Sequence, residues 1–223
     1  MTTENTFEQD RKVMEKYISN VPDTKSVAHF KPSKDIIRLP IRFDIKKLRQ
    51  SVDDLISSQG LIDMGSGFQA TTITKRPNID VISDNDLSGR FYTRTDESLE
   101  EYARDEIVNE SEFTDLAEPY KDTYFEFIHR ELAKRYSIGR IRVLLKKIYN
   151  CNSWHRDPEP RLHIPVYTNP GSLFIVNHHC THLPADGSVY FTDTRGYHTA
   201  INGGESNRIH IVAALAYPEA QVL

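Results

Sequence analysis

The sequence predicts a mainly β fold with flanking helices, an α+β chain whose second half forms a sandwich or jelly roll. Two observations carry this. Residues 138–217 break into six short strand-like runs with turn residues between them, and residues 1–136 hold two convincing helical patterns. The 223-residue chain, with 38% hydrophobic residues and a formal charge of −4, fits one compact domain able to bury a core without disulfide or metal staples. Within it, 1–136 reads as a helical or mixed region packing on the core, and 137–223 as the β core. No repeat or Pro/Gly/Ser-rich linker divides the two.

In the first half, Asp35 to Phe43 reads as a strand. Asp44 then stands as N-cap to a helix carrying Ile45, Leu48, Val52, Leu55 and Ile56 at helical spacing. Gly60, Gly65 and Gly67 end it. No helical pattern follows Gly65-Ser66-Gly67, so this run is read as a loop rather than a phosphate cradle. A second helix is expected over Tyr120 to Tyr136, with Tyr124, Phe125, Ile128 and Leu132 as its apolar stripe. Between the helices, Asp96 to Glu118 holds ten acidic residues and one arginine, a local charge of −9, and is read as a solvated helix face or loop.

In the second half the period changes to two. Ile141, Val143 and Leu145 alternate with Arg142, Leu144 and Lys146 over Arg140 to Tyr149. Further runs cover Leu162 to Thr168, Leu173 to Asn177, Ser188 to Thr192, Tyr197 to Ile201 and Arg208 to Ala213. Turns such as Asn169-Pro170-Gly171 and Asn202-Gly203-Gly204 punctuate them.

Polar residues on these strands follow an order that a structural sheet does not need. His155 and Asp157, two apart, point to one side of an extended backbone, and His198 lies downstream. Two histidines and one carboxylate form the facial set that holds non-haem Fe(II) and leaves coordination positions open. Arg208 and His210 face opposite to Ile209 and Ile211, so a guanidinium projects inward. Its planar fork suits the far carboxylate of a dicarboxylate chelating the metal, and a buried structural ion pair is the competing reading. Arg161 and His163 repeat this geometry opposite Leu162, Ile164 and Val166, and are read as orienting or carboxylate-binding groups. His178, His179, Cys180 and His182 form a rival metal cluster suited to zinc. Adjacent strand residues point to opposite faces, however, so these are read as strand-end and loop residues near the cavity mouth.

Taken together, the run His155-Arg156-Asp157-Pro158-Glu159-Pro160-Arg161-Leu162-His163-Ile164-Pro165-Val166, with Val189 to Thr194, His198 to Asn202 and Arg208 to Val212, resembles the aspartyl/asparaginyl β-hydroxylase family, which includes bacterial proline hydroxylases. The resemblance covers about residues 138–214. It implies a double-stranded β-helix of the cupin-like kind, and an Fe(II)- and 2-oxoglutarate-dependent hydroxylase that uses O2. His155, Asp157 and His198 would be its iron ligands, Arg208 the partner of the distal 2-oxoglutarate carboxylate, and Arg161 and His163 would help bind the co-substrate. The animal protein-hydroxylating branch lacks the carboxylate that Asp157 would supply, which places this chain nearer the bacterial members. The implied substrate is an amino-acid side chain, Asp, Asn or Pro, free or in a polypeptide. Its selection is expected from the first half and from loops around Trp154, Asn177 to His182 and Gly196. A non-catalytic binding module and a Lewis-acid isomerase or hydrolase are the alternatives from other classes.

Charge and composition bear on the remaining function classes. A pI near 6.1 offers no basic footprint for nucleic acid, and no nucleic-acid partner is indicated. No apolar run reaches the roughly 20 residues of a membrane helix, and the polar start forms no signal-peptide core. With Cys151 and Cys180 the only cysteines, a cytoplasmic setting without a disulfide framework is expected.

Overall fold

The computed structural model describes residues 34–79, 82–88, 92–94, 101–103 and 108–216. In chain order, strand β1 (Ile36–Arg42) leads into helix α1 (Ile45–Ser58), followed by β2 (Ile62–Asp63), β3 (Phe68–Thr72) and β4 (Thr74–Lys75). A single-turn helix α2 (Asp84–Leu87), β5 (Tyr92–Arg94), β6 (Glu101–Ala103), β7 (Asp115–Leu116) and helix α3 (Tyr124–Ala133) come next. Then follow β8 (Ile138–Lys146), β9 (Asn150–Cys151), β10 (His155–Arg156), β11 (Arg161–Tyr167), β12 (Ser172–Val176), β13 (His179–Thr181), β14 (Ser188–Thr192), β15 (His198–Asn202) and β16 (Arg208–Leu215).

Two antiparallel sheets result. The major sheet has the order β1-β14-β11-β16-β8-β3-β2 and the minor sheet β13-β12-β15-β10-β5-β6, with β9 also pairing β15. All six strands expected from the second half are present, five of them within one or two residues of their expected ends. The first half does more than pack against this core, because β1 pairs β14 and β3 pairs β8 inside the major sheet. The expected run to Tyr149 stops at Lys146, and Tyr149 adopts a positive φ of 51° in the turn that follows.

Period-two alternation divides the major sheet into two faces. Ile141, Val143 and Leu145 of β8, Leu162, Ile164 and Val166 of β11, and Ile209, Ile211 and Ala213 of β16 pack under the helices in one cluster. Helix α1 adds Leu48, Val52 and Leu55, and α3 adds Phe125, Ile128 and Leu132. Each such burial is worth about 1.5–3 kcal/mol, which makes this helix-on-sheet layer the main hydrophobic store. Asp44 caps α1 as expected, accepting from the backbone N–H of Lys46 at 2.8 Å. The second helix is shorter than its pattern. Asp122 has φ 58°, so the helix restarts at Thr123, whose hydroxyl accepts from the Phe125 N–H at 3.2 Å.

The opposite face of the major sheet looks at the minor sheet, and here the core is small: Ile36, Phe174, Val176, Leu183, Tyr190 and Ala200. The rest of that interior is polar and charged. Arg140, Arg142, Lys146, Arg161, His163, Arg208 and His210 are all buried on it. Long charged side chains are seldom fully buried without partners, so this face is where chemistry is to be sought.

The acidic stretch is read differently by the structure. Residues 96–100 and 104–107 lie outside the described residues. Glu110 is no solvated charge, being buried in an ion pair with Arg140.

Candidate metal centre and anion cavity

Strand β10 lies between β15 and β5, and His155 is the direct cross-strand partner of His198. That register sets the two imidazoles side by side, with ring centroids 4.3 Å apart. Pro158 cannot donate to a ladder, and the chain leaves the strand after Arg156, carrying Asp157 toward the same point. The Asp157 N–H is tied to the Thr194 carbonyl at 2.8 Å.

One ligand atom from each of His155, Asp157 and His198 lies within 4.8 Å of the others, and among the described residues this is the one group of three or more His, Cys, Asp or Glu so placed. His198 Nε2 stands 3.6 Å from Asp157 Oδ2. Both rings are oriented from behind: His155 Nδ1 lies 2.6 Å from the Ser153 carbonyl and His198 Nδ1 3.0 Å from that of Gly196. A carbonyl accepts only from N–H, so each Nδ1 carries the proton and each Nε2 presents a lone pair, as metal-binding histidines do. Burial pushes the His198 imidazole down to about 4, which keeps that lone pair available at neutral pH.

The third ligand is kept charged by Arg161. Burial alone would raise the Asp157 carboxyl, but the Arg161 guanidinium beside it outweighs this and holds the group below its usual range. Arg161 Nε donates to Asp157 Oδ2 at 3.1 Å and its Nη1 to Glu110 Oε1 at 3.0 Å. Glu110 is in turn bound by Arg140, which also donates to the carbonyls of Asn85, Asp86 and Ser88. The buried relay Asp157–Arg161–Glu110–Arg140 therefore fastens the metal-facing carboxylate to the segment around α2.

A cavity of about 360 Å³ opens in front of these ligands, within the range of small-molecule sites. Arg142, Lys146, Arg161, His163 and Arg208 line it, together with Met64, Ser66, Phe68, Ser88 and Asn152. Arg208 is 5% exposed and forms no ion pair with a carboxylate among the described residues, so the competing reading of a structural ion pair is set aside. Its Nη2 donates to His210 Nδ1 at 2.9 Å, and burial pushes the guanidinium down to about 9. Lys146 reaches the same region, donating to Asn150 Oδ1 at 3.0 Å and to Asn152 Oδ1. Burial and the neighbouring Arg208 push its ammonium down to about 8. His163 stands behind, its Nδ1 3.3 Å from His210 Nδ1 and its ring 4.8 Å from Phe174.

The rival histidine cluster does not converge. Asn177 and His178 form the two-residue turn of the β12–β13 hairpin, with φ 47° and 66°. Cys180 is an exposed free thiol, and His182 is buried with its Nδ1 3.0 Å from the Ser172 carbonyl. His178 stacks on Trp154 at 5.4 Å, next in the chain to His155. Glu110, Arg142 and Lys146 are the site residues that sequence reasoning left unassigned. For Arg142 and Lys146 the signal was present, since the alternation that sends Val143 and Leu145 to the helices sends these two inward. For Glu110, inside an acidic run, no local signal exists.

No protein-family model matches the chain, and no curated protein matches its sequence. Solved structures do. An oxidoreductase of the 2OG-Fe(II) oxygenase family from Burkholderia pseudomallei aligns over 88% of this chain and 91% of its own, with a TM-score of 0.51 at 15% identity. AviO1 from Streptomyces viridochromogenes Tue57 aligns over 91% and 98%, with a TM-score of 0.47 at 18% identity. The viral collagen prolyl hydroxylase of Paramecium Bursaria Chlorella virus-1 aligns over 82% and 96%, with 0.46 and 11%. The likeness to the first establishes a shared fold: the chain is a double-stranded β-helix of the architecture found in a 2OG-Fe(II) oxygenase-family protein. Among the described residues no helix is long and apolar enough to cross a membrane.

Proposed function

We propose that this protein is an Fe(II)- and 2-oxoglutarate-dependent oxygenase that hydroxylates an amino-acid side chain, Asp, Asn or Pro, free or in a polypeptide, as its resemblance to the aspartyl/asparaginyl β-hydroxylases implies. One observation carries the reading. A His-Asp-His set with both Nε2 atoms presented shares a cavity with Arg208, a buried guanidinium that no carboxylate among the described residues neutralises.

The residues fit the cofactors. Two neutral imidazoles and one carboxylate are the donor set of non-haem ferrous sites, and three donors on one side leave room for further ligands. With iron bound, the centre supplies oxidative decarboxylation of 2-oxoglutarate to succinate and CO2, coupled to insertion of one O2 oxygen into a C–H bond. The protein's own contribution is placement. His155 and His198 are aimed by backbone carbonyls, Asp157 is held anionic by Arg161, and Arg208 fixes the remote carboxylate of the keto acid so that it lies in one orientation. Burial of Asp157, His198, Arg161 and Arg208 strengthens each of these contacts.

The test is succinate formation from 2-oxoglutarate under air with Fe(II) and a reductant. The wild type should release succinate, and His155→Ala and His198→Ala should not. Succinate release by either variant at the wild-type rate, or none from iron-loaded wild type across Asp, Asn and Pro substrates, contradicts the proposal.

A further inference from the structure

Arg142 is a second buried guanidinium in the cavity, on a different strand from Arg208. It projects from β8 into the cavity with 7% of its surface exposed. Its Nη1 donates to the Leu87 carbonyl at 2.7 Å, while its Nε has no hydrogen-bond partner among the described residues. The carboxylates nearest to it are already held, Glu110 by Arg140 and Arg161, and Asp157 by Arg161. A buried guanidinium with an idle N–H and no ion pair costs stability in a ligand-free protein and calls for an anion.

Register separates the two anchors. On β16, Arg208 lies opposite Lys146 and Val212 lies opposite Arg142. Four residues of strand separate the two backbone positions by about 13 Å. A five-carbon diacid spans only about 5 Å between its terminal carbons, well short of that backbone spacing. Burial is the largest influence on both guanidinium groups, but Arg142 also feels the charges of Arg140, Arg161, Glu110 and Asp157, whereas Arg208 stands beside Lys146. Arg142 therefore belongs to the metal-carboxylate end of the cavity, beside Ser88.

We infer that the molecule hydroxylated here is itself an anion whose carboxylate is received by Arg142. This deepens the reading above and rests on it for the identity of the first ligand. It selects small acids, free amino acids and acidic side chains over a residue such as proline inside a neutral peptide.

The test uses zinc-loaded full-length protein saturated with 2-oxoglutarate, so that nothing turns over. Saturation-transfer NMR compares acetate, succinate, L-malate, L-aspartate and L-proline with their carboxamides. At least one acid should bind about tenfold or more tightly than its amide, the worth of a charge-assisted pair in a dry site. Arg142→Gln, which retains a donor for the Leu87 carbonyl but no charge, should abolish that preference and leave 2-oxoglutarate affinity within about twofold. Arg142→Lys should restore the preference. Equal binding of every acid and amide by the wild type overturns the inference without needing any variant, and so does a preference that survives Arg142→Gln. Failure of 2-oxoglutarate to bind at all instead removes the oxygenase reading, and the acid–amide comparison is then read on the zinc-loaded protein alone.

Discussion

Arg208 and Lys146 face each other across neighbouring strands of the major sheet, both buried, with no carboxylate among the described residues paired to either. Like charges directly opposite on a sheet destabilise it, so this pair makes sense as two halves of a clamp for one anion. Lys146→Met should therefore lower the affinity of metal-loaded protein for 2-oxoglutarate about tenfold, measured by calorimetry. Unchanged affinity assigns Lys146 to anchoring Asn150 and Asn152 alone.

The same pair sets a pH dependence whose sign can be worked out. Lys146 is pushed down to about 8 from its usual 10.5, so between those values the unfolded chain binds the proton that the folded chain has released. The burden on the ligand-free fold is complete below pH 8 and is relieved as pH climbs toward 10.5, with a slope approaching about 1.4 kcal/mol per pH unit. Wild-type stability measured by urea unfolding should rise relative to Lys146→Met between pH 7.5 and 9.5. Affinity for 2-oxoglutarate should fall over the same interval, and a constant gap between the two proteins across it goes against the clamp.

Arg161 serves three carboxylates at once, hydrogen-bonding Asp157 and Glu110 and lying 3.8 Å from Glu159, and its loss should be costly. Arg161→Leu leaves Asp157 and Glu110 buried without their shared cation, which is expected to destabilise the fold by about 3–5 kcal/mol. With Asp157 no longer oriented, metal affinity should drop by roughly 10–100-fold in a chelator competition. A variant that melts earlier yet holds metal as tightly as wild type limits Arg161 to a structural role.

Gly187 joins the end of β1 to the start of β14. It has φ 89°, and a Cβ there would lie 2.0 Å from the Phe43 carbonyl oxygen, whose residue also donates its N–H to the Gly187 carbonyl at 2.8 Å. Gly187→Ala should cost about 1–3 kcal/mol in chemical unfolding, from left-handed strain and the displaced backbone. A wild-type midpoint would show that β1 is not fastened at this corner.

How much of this was legible beforehand depended on range. Strands β8, β11, β12, β14, β15 and β16 announced themselves because alternation is local, and Asp44 announced α1 because a cap acts within three residues. The three candidate ligands and Arg208 followed from spacing and residue type. Strand β3 was missed, because Phe68-Gln69-Ala70-Thr71-Thr72 carries little alternation and gains its place only by pairing with β8. Glu110 was hidden for the same reason. Nothing in an acidic run says which carboxylate will turn inward to meet Arg140, thirty residues on. The end of α3 nearest Tyr120 was overestimated, since apolar periodicity cannot see that Asp122 adopts a positive φ.

The central claim is that one ferrous ion at His155, Asp157 and His198 and one keto acid anchored at Arg208 share this cavity. Anaerobic titration of iron-loaded protein with 2-oxoglutarate, followed by visible absorption, addresses it without knowledge of the substrate. The account predicts a new band that saturates at one equivalent, is absent in His198→Ala and needs far more 2-oxoglutarate in Arg208→Gln. A spectrum that stays flat in the iron-loaded wild type contradicts it.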